Sequence, residues 1–502
     1  ALLPPSSSSS LFPPPSPSPL SSVPTPRPLS PPLPQPPGMA PLVDVRQYGA
    51  LGDGTDCTAA LSAAIAAAGA SGATVHVPHG GTYLIRPLVL TTGITLQVDG
   101  LLLGATGAEA LRQWPRLAPL PTYGRDRDYG AKAERHQALI SVAPGSRNVV
   151  IRGKGTIDGR GSWWWDRREK LTAGRPHLIE AYNVTGFELR DLTLRNSPFW
   201  TVHPVYSSHV HVHRVTIRAP LYSPNTDGVD PDSCKHVMIE LCDIAVGDDH
   251  VAIKSGMNEL ARSAHPQFST TNVTVRRNIF RAGMGVAVGS ETAGGVANVT
   301  VEHNTFWGEG WSVALHVKTA PQRGNTIEHI MFRHNTVYNT SGFMRLATFG
   351  RPMIPTSYLP TAVRSIAWMN NTYTGPPRRV RSKWICPSGC TCEGLYVVGN
   401  TQPTLGKWQC DWPGQFVVED NLPQGLEECM KQGSRRRGPP TKRGAATETP
   451  EPDQSSARRG PRQSRHSENG QGRRKSRTRK QRFRKFHWKT GTSSWSTEAA
   501  SD

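Results

Sequence analysis

The chain has 502 residues and a formal net charge of +20. The charge is uneven: +1 for residues 1–38, +14 for residues 431–502 and +5 for residues 39–430. A nearly balanced body of 392 residues can bury a large core and is excluded as a nucleic-acid binder, and no apolar run reaches the roughly 18 residues of a membrane-spanning helix.

Residues 1–38 hold fifteen Pro and ten Ser with one charge, Arg27. Such a segment buries too little apolar surface to offset chain entropy. Pro13-Pro-Pro15-Ser-Pro-Ser-Pro19 favours extended polyproline II, so a disordered spacer is expected. Ala1-Leu2-Leu3 runs straight into Pro and Ser, and no complete signal peptide is legible there. The body then opens with an Ala-rich stretch, Thr58 to Ala68, which predicts a helix N-capped by Asp56 or Thr58.

One short motif recurs through the body. Phe187-Glu-Leu-Arg-Asp-Leu is followed by copies starting at Val210, Val237, Val273, Val299 and Ile330, in steps of 23, 27, 36, 26 and 31 residues. Val149-Val-Ile-Arg-Gly reads as an earlier copy. Each copy alternates apolar and polar residues, then turns into a second short strand such as Ala245-Val or Val286-Ala-Val. No amphipathic helix separates the copies, which excludes a βαβ sheet. The steps are too short for propeller blades of about 40–45 residues and fit coils stacked about 4.8 Å apart. The Ala-rich helix would close one end of this all-β solenoid, where an open strand edge invites aggregation.

Five of eight cysteines fall within residues 386–429, a segment suited to closing the other end. Cys386-x3-Cys390-x-Cys392 lacks paired zinc spacing, so disulfides and an oxidising compartment are the better reading. Sequons at Asn183, Asn272, Asn298, Asn339 and Asn370 agree with a secreted, extracellular or cell-wall protein. The tail, 431–502, carries twenty Lys and Arg against six acids, with Phe483, Phe486 and Trp488 among them. It reads as a disordered extension or as a binder of an acidic polymer, nucleic acid included.

In such a stack, residues one coil apart share a face. Asp227, in Asn225-Thr-Asp-Gly228, and Asp248, in Gly247-Asp-Asp249, are 21 residues apart, close to the shortest step. Asp227, Asp248 and Asp249 would converge, and like charges that close raise at least one pKa. A protonated carboxyl beside an ionised one is what glycoside hydrolysis needs. Lys318, in His316-Val-Lys-Thr319, lies further along the stack and suits an anionic substrate. His209, His211, His213 and His250 read as solvent-facing or core-satisfied. No cluster has metal spacing, so no metal and no cofactor are expected.

At these residues the sequence resembles the polygalacturonases, glycoside hydrolases of pectin, and their plant-like branch most. The shared motifs are Asn225-Thr-Asp-Gly228, Gly247-Asp-Asp249 and Gly289-Ser-Glu291, with Tyr48-Gly-Ala-Leu-Gly-Asp-Gly54, Gly153-Lys-Gly-Thr-Ile-Asp-Gly159, Ser197-Pro-Phe-Trp200 and Lys318-Thr-Ala-Pro-Gln-Arg-Gly324. They cover roughly residues 43–400. The resemblance implies a single-stranded right-handed parallel β-helix over residues 39–430, hydrolysing α-1,4-galacturonan with inversion and without metal. Asp248 would be the general acid, and Asp227 and Asp249 would position and deprotonate water. Asn225, Lys318 and His316 would bind substrate, His316 gaining charge as pH falls and giving an acidic optimum. Carboxylates one coil apart, about 5 Å, sit closer than the usual inverting separation. The chain departs from the family pattern at Met284, His316 and His250. A pectin-binding homologue of impaired activity is the alternative, and a pectate lyase would need calcium carboxylates and an Arg base. Polygalacturonan is the partner implied, and a monomer is expected.

Overall fold

The computed structural model describes residues 41–69, 72–124, 134–308, 313–319, 323–348, 362–374, 380–387, 390–402, 407–422 and 424–436. The Pro-rich head and all of the basic tail beyond residue 436 lie outside these. The described residues form a parallel β-helix with three sheets along its length. A first sheet of 13 strands runs from Leu42–Asp44 to Phe416–Glu419, and a second of 11 from Asp53–Asp56 to Thr372–Tyr373. The third has four strands, Leu88–Leu90 to Val202–Val205, then six, Val251–Ile253 to Lys407–Asp411. Between its halves Val229 bridges to Val202 and Val251, and Asp232 bridges to Val205 and Lys254. Pro231, lacking an N–H, sits between these bridges and breaks the regular strand where the acidic residues gather.

A coil thus has three strands where the sequence suggested two. Ala245 and Val286-Ala-Val288, grouped as one second strand above, belong to the second and third sheets respectively. The repeat itself is a stacking column. Val149, Phe187, Val210, Val237, Val273, Val299, Ile330, Ile366 and Leu395 pair in register down the first sheet, all with their side chains in the core. Burying each such side chain stabilises the fold by about 1.5–3 kcal/mol.

The tight turn into the second sheet explains the Arg-Asn and His-Asn pairs of the later copies. Arg277, His303, His334 and Asn370 are left-handed, with φ between 53 and 54°. Each is followed by a buried Asn: 278, 304, 335 and 371. Asn304 Nδ2 donates to Asn335 Oδ1 at 3.0 Å and to the Val275 carbonyl at 2.9 Å, and the pattern continues through Asn371, Asn400 and Asn421. Each rung satisfies backbone groups that the turn would leave buried and unpaired. The ladder starts at Cys242, whose N–H donates to Asn278 Oδ1 at 2.9 Å. In the preceding coils Leu192 and Val215 fill the same buried place.

Both ends are capped. The helix Thr58–Gly69 buries Leu61, Ala64, Ile65 and Ala68 at helical spacing against the first coils. Of its two expected caps, Asp56 accepts from the Thr58 N–H at 2.9 Å. At the other end the helix Leu426–Arg436 runs past the expected boundary at residue 430 and is tied to the last coil by Cys410–Cys429. Cys386 pairs with Cys392, which removes two thiolates from the zinc alternative. Cys57, Cys234 and Cys242 are buried thiols. No helix among the described residues is long and apolar enough to cross a membrane.

Candidate active site

Two glycines let the acidic turns meet. A Cβ on Gly247 would lie 2.0 Å from the Ser223 carbonyl oxygen, and one on Gly228 2.4 Å from that of His250. With hydrogen there instead, the Gly228 N–H donates to the Asp249 carbonyl at 2.9 Å and the Gly247 N–H to Thr226 Oγ1 at 3.0 Å. Asp227, Asp248 and Asp249 therefore stand together, each offering an oxygen within 4.8 Å of the others. All three line a cleft of about 540 Å³, with Asn225, Lys318, Lys254, Glu291, Ser290 and Trp200. Five of the six expected site residues are thus in one place.

The sixth is not. His316 does not line the cleft. It is buried, pairing in register with Ala287 and Arg345, and burial, then Lys318 and Arg345, hold its pKa well below the ordinary imidazole value. Its charged form is therefore disfavoured. The expected acid-induced charge at His316, and the acidic optimum derived from it, find no support in this environment.

Two cations sit against the triad. Lys318 is ion-paired with Asp249 Oδ2, and Lys254 Nζ lies 3.9 Å from Asp227 Oδ2, 3.1 Å from Glu291 and 4.3 Å from the centre of the Trp200 ring. Burial, then the charges of Asp230 and Asp248, push Asp227 well above the carboxylate range, against the pull of Lys254. Burial likewise lifts Asp230 to about 8 and Asp249 to about 6, the latter restrained by Lys318. On Glu291 burial is outweighed by Lys254, Arg323 and Lys318, which hold it at about 2. Around neutrality the cluster holds protonated and ionised carboxyls side by side. Asn225 Nδ2 donates to Asp248 Oδ2 at 3.4 Å, and Asp248, the partly exposed member, faces the cleft.

His250, where the family pattern has Cys, acts as a fastener. Its Nδ1 accepts from the Gly285 N–H at 3.0 Å and its Nε2 meets the Arg281 carbonyl at 3.0 Å, with burial lowering its pKa to about 4. That holds the Gly283-Met-Gly285 turn against the triad, where the Met284 N–H donates to the Asp248 carbonyl at 2.8 Å.

Sequence reasoning missed a second buried group. His177, Glu180 and His203 offer atoms within 4.8 Å of one another. Arg135 donates to both Glu180 oxygens at 2.9 and 2.6 Å, and His203 lies 3.5 Å from Asp232. Burial, then His203, lower His177 to about 4; on His203 burial is outweighed by Asp232 and Glu180, which raise it. The guanidinium and the imidazolium supply here the positive charge that Lys254 and Lys318 supply to the Asp triad. A chain segment that leaves the coil after residue 104 walls this side of the cleft. It is anchored by Tyr123 to Asp232, by Tyr206 Oη to the Thr122 N–H at 3.1 Å and by Asn258 Nδ2 to the Pro121 carbonyl at 2.8 Å. Phe199, Trp200 and Glu291 were inside quoted motifs, and Lys254 interrupts an apolar strand. Arg135 and Arg175 carry no local signal.

The sequence profile described as Glycosyl hydrolases family 28 matches residues 70–344, more than half of the chain. A probable polygalacturonase of Vitis vinifera is 38% identical over 310 residues, 59% of this chain and 60% of that one. An endo-polygalacturonase of Pectobacterium carotovorum subsp. carotovorum is 31% identical over 279 residues, 52% and 63% respectively. The chain thus spans about 60% of the length of these relatives. The structure of a hyperthermoactive exopolygalacturonase from Thermotoga maritima superposes with a TM-score of 0.65 at 26% identity, covering 78% of this chain and 92% of that one. Fold, acidic cluster and sequence profile agree, and the chain belongs to the glycosyl hydrolases of family 28.

Proposed function

We propose that the protein hydrolyses α-1,4-galacturonosyl bonds of polygalacturonan by inverting acid–base catalysis. The observation that carries this is the convergence of Asp227, Asp248 and Asp249 in one cleft with Lys254 and Lys318 against them. Asp248, the exposed member beside Asn225, protonates the leaving glycosidic oxygen. Asp227 and Asp249 hold the attacking water between them, and the ionised one takes its proton. Asn225 and Lys318 bind the substrate, Lys318 lining the cleft beside Asp249.

The short carboxylate spacing is nearer that of retaining enzymes. Two features favour inversion. A nucleophile must be ionised and unencumbered, whereas Asp249 is bonded to Lys318 and burial favours the protonated form of Asp227. A third carboxylate also supplies the pair of acceptors that a water needs. The anomeric configuration of the first product, followed by proton NMR on polygalacturonate, tests this: initial β-product is expected from the α-linked chain, and initial α-product would overturn inversion. The two disulfides support a secreted or cell-wall location.

A further inference from the structure

Five Lys and Arg side chains line the cleft: Arg135, Arg168, Arg175, Lys254 and Lys318. Four are neutralised by a carboxylate. Arg135 lies 2.6 Å from Glu180, Arg168 3.1 Å from Glu169 and Lys254 3.1 Å from Glu291, while Lys318 pairs with Asp249. Arg175 differs. Its hydrogen-bond partners are all neutral oxygens: Nη1 donates to the Pro198 carbonyl at 2.8 Å and the Pro224 carbonyl at 2.7 Å, and Nη2 donates to Asn225 Oδ1 at 2.8 Å. Its carbon Cζ lies 4.6 Å from the centre of the Phe199 ring. No carboxylate forms an ion pair with it among the described residues.

A guanidinium carries five N–H donors in a fixed fork. Three are spent on those oxygens. The Nε–H and the second Nη2–H have no acceptor among the described residues, and together they form the edge that grips both oxygens of a carboxylate. The three bonds and the Phe199 ring hold the fork in place before any ligand arrives. Burial, then Arg168, lower its pKa to about 10, which leaves it charged at any pH where pectin is handled. Asn225, which holds Nη2, donates in turn to Asp248 Oδ2 at 3.4 Å, so the fork stands one side chain from the acid.

We propose that Arg175 is a specificity-determining residue whose Nε/Nη2 edge receives the C6 carboxylate of a uronosyl unit next to the bond being cleaved. The proposal rests on the galacturonan reading above. It gives the fifth cation its counter-ion from the substrate itself. A methyl-esterified unit has no charge to offer and leaves the fork unpaired.

The test compares wild type, Arg175→Gln and Arg175→Lys in the full chain, on de-esterified polygalacturonate and on highly methyl-esterified pectin. Calorimetric binding of oligogalacturonate to Asp248→Asn and to Asp248→Asn/Arg175→Gln runs beside it. Removing a charge-assisted fork predicts a KM on the de-esterified chain raised roughly 10- to 100-fold, with kcat changed less. The preference for de-esterified over esterified substrate should shrink by a similar factor. Arg175→Lys should fall between, since it keeps the charge and loses the fork. A merely structural Arg175 would slow both substrates alike, and an unchanged preference overturns the proposal. If wild type turns over neither substrate, the hydrolase reading fails by itself. Calorimetry still decides Arg175, because equal affinity of the two Asp248→Asn chains would overturn it. Should Arg175→Gln fail to fold, Arg175→Lys carries the same comparison.

Discussion

At residue scale, the proposed acid is Asp248 and the variant that isolates it is Asp248→Asn, which keeps its size and its bond with Asn225 within reach. Reducing-sugar release from polygalacturonate should fall by about 10² to 10⁴, the usual worth of a proton-transfer group, with the melting curve little changed. With Asp249 as the proposed base, it should set the rising side of the pH profile. Burial has raised it to about 6, so the ionised form that can accept a proton from water becomes the major form only above that pH. Activity should therefore climb through about pH 6. Lys318 restrains that shift, and Lys318→Gln should move the rising limb to higher pH as well as weaken binding. A limb that stays put in Lys318→Gln would remove Asp249 as the group titrating there. Stability carries the opposite sign. Between the reference carboxylate value of about 4 and about 8, the unfolded chain releases the proton of Asp230 while the folded chain keeps it. Stability should fall as pH rises through that window, and Asp230→Asn should flatten the fall in melting temperature between pH 5 and pH 8. Glu291, held at about 2, contributes stability already complete above about pH 4.5 and does not shape that window.

Strand and turn carry the next level of the argument. Replacing Asn335 by Ala removes the Nδ2 donations to the Val301 carbonyl and Asn371 Oδ1 and the Oδ1 acceptor of the Asn304 N–H, stranding buried backbone groups at a cost of about 1–3 kcal/mol for each unsatisfied group. Urea unfolding should show a loss of that order, whereas the exposed neighbour His329→Ala should show little. The ladder also shows what was legible. The starts of the repeat copies, Val210 to Ile330, are the in-register core column, because stacking forces one buried apolar residue per coil into the same phase of a period-2 strand. The Asp triad was legible for the same reason: 21 residues is close to one coil. The third strand of each coil was not assigned as such: Val286–Val288 was grouped with the second strand, because it and Val251–Ile253 are only three residues long and buried throughout, leaving no alternation to place them. His316 misled because a residue two positions from Lys318 shares its strand face and is buried like it, yet only Lys318 borders the cleft. Arg175 and Arg135 were invisible because they come from an irregular segment and a two-residue antiparallel strand outside the repeat, where no period relates sequence to place.

For the whole molecule, the caps decide whether a stack of coils stays closed. Cys410–Cys429 closes 19 residues of chain and fixes the terminal helix, so its reduction or Cys429→Ser should lower stability by about 3 kcal/mol and expose the last strand edge. Increased aggregation on mild reduction, followed by light scattering, would report the uncovered edge. The basic tail bears on the same scale through charge. Truncation after residue 436 removes most of the +14 and should weaken salt-dependent retention on immobilised polygalacturonate; unchanged retention would end its role as an anchor. The Asn ladder has one more implication. From Asn278 onward each coil presents the same interface above and below, while the triad sits on the coils just before it. An indel of one complete turn of chain between Asn335 and Asn371, past the coil that carries Lys318 and bringing its own Asn, would lengthen the rod without disturbing catalysis. Length polymorphism among relatives should therefore concentrate beyond the coil that carries Lys318, and a fractional turn anywhere in the ladder should be lethal to the fold.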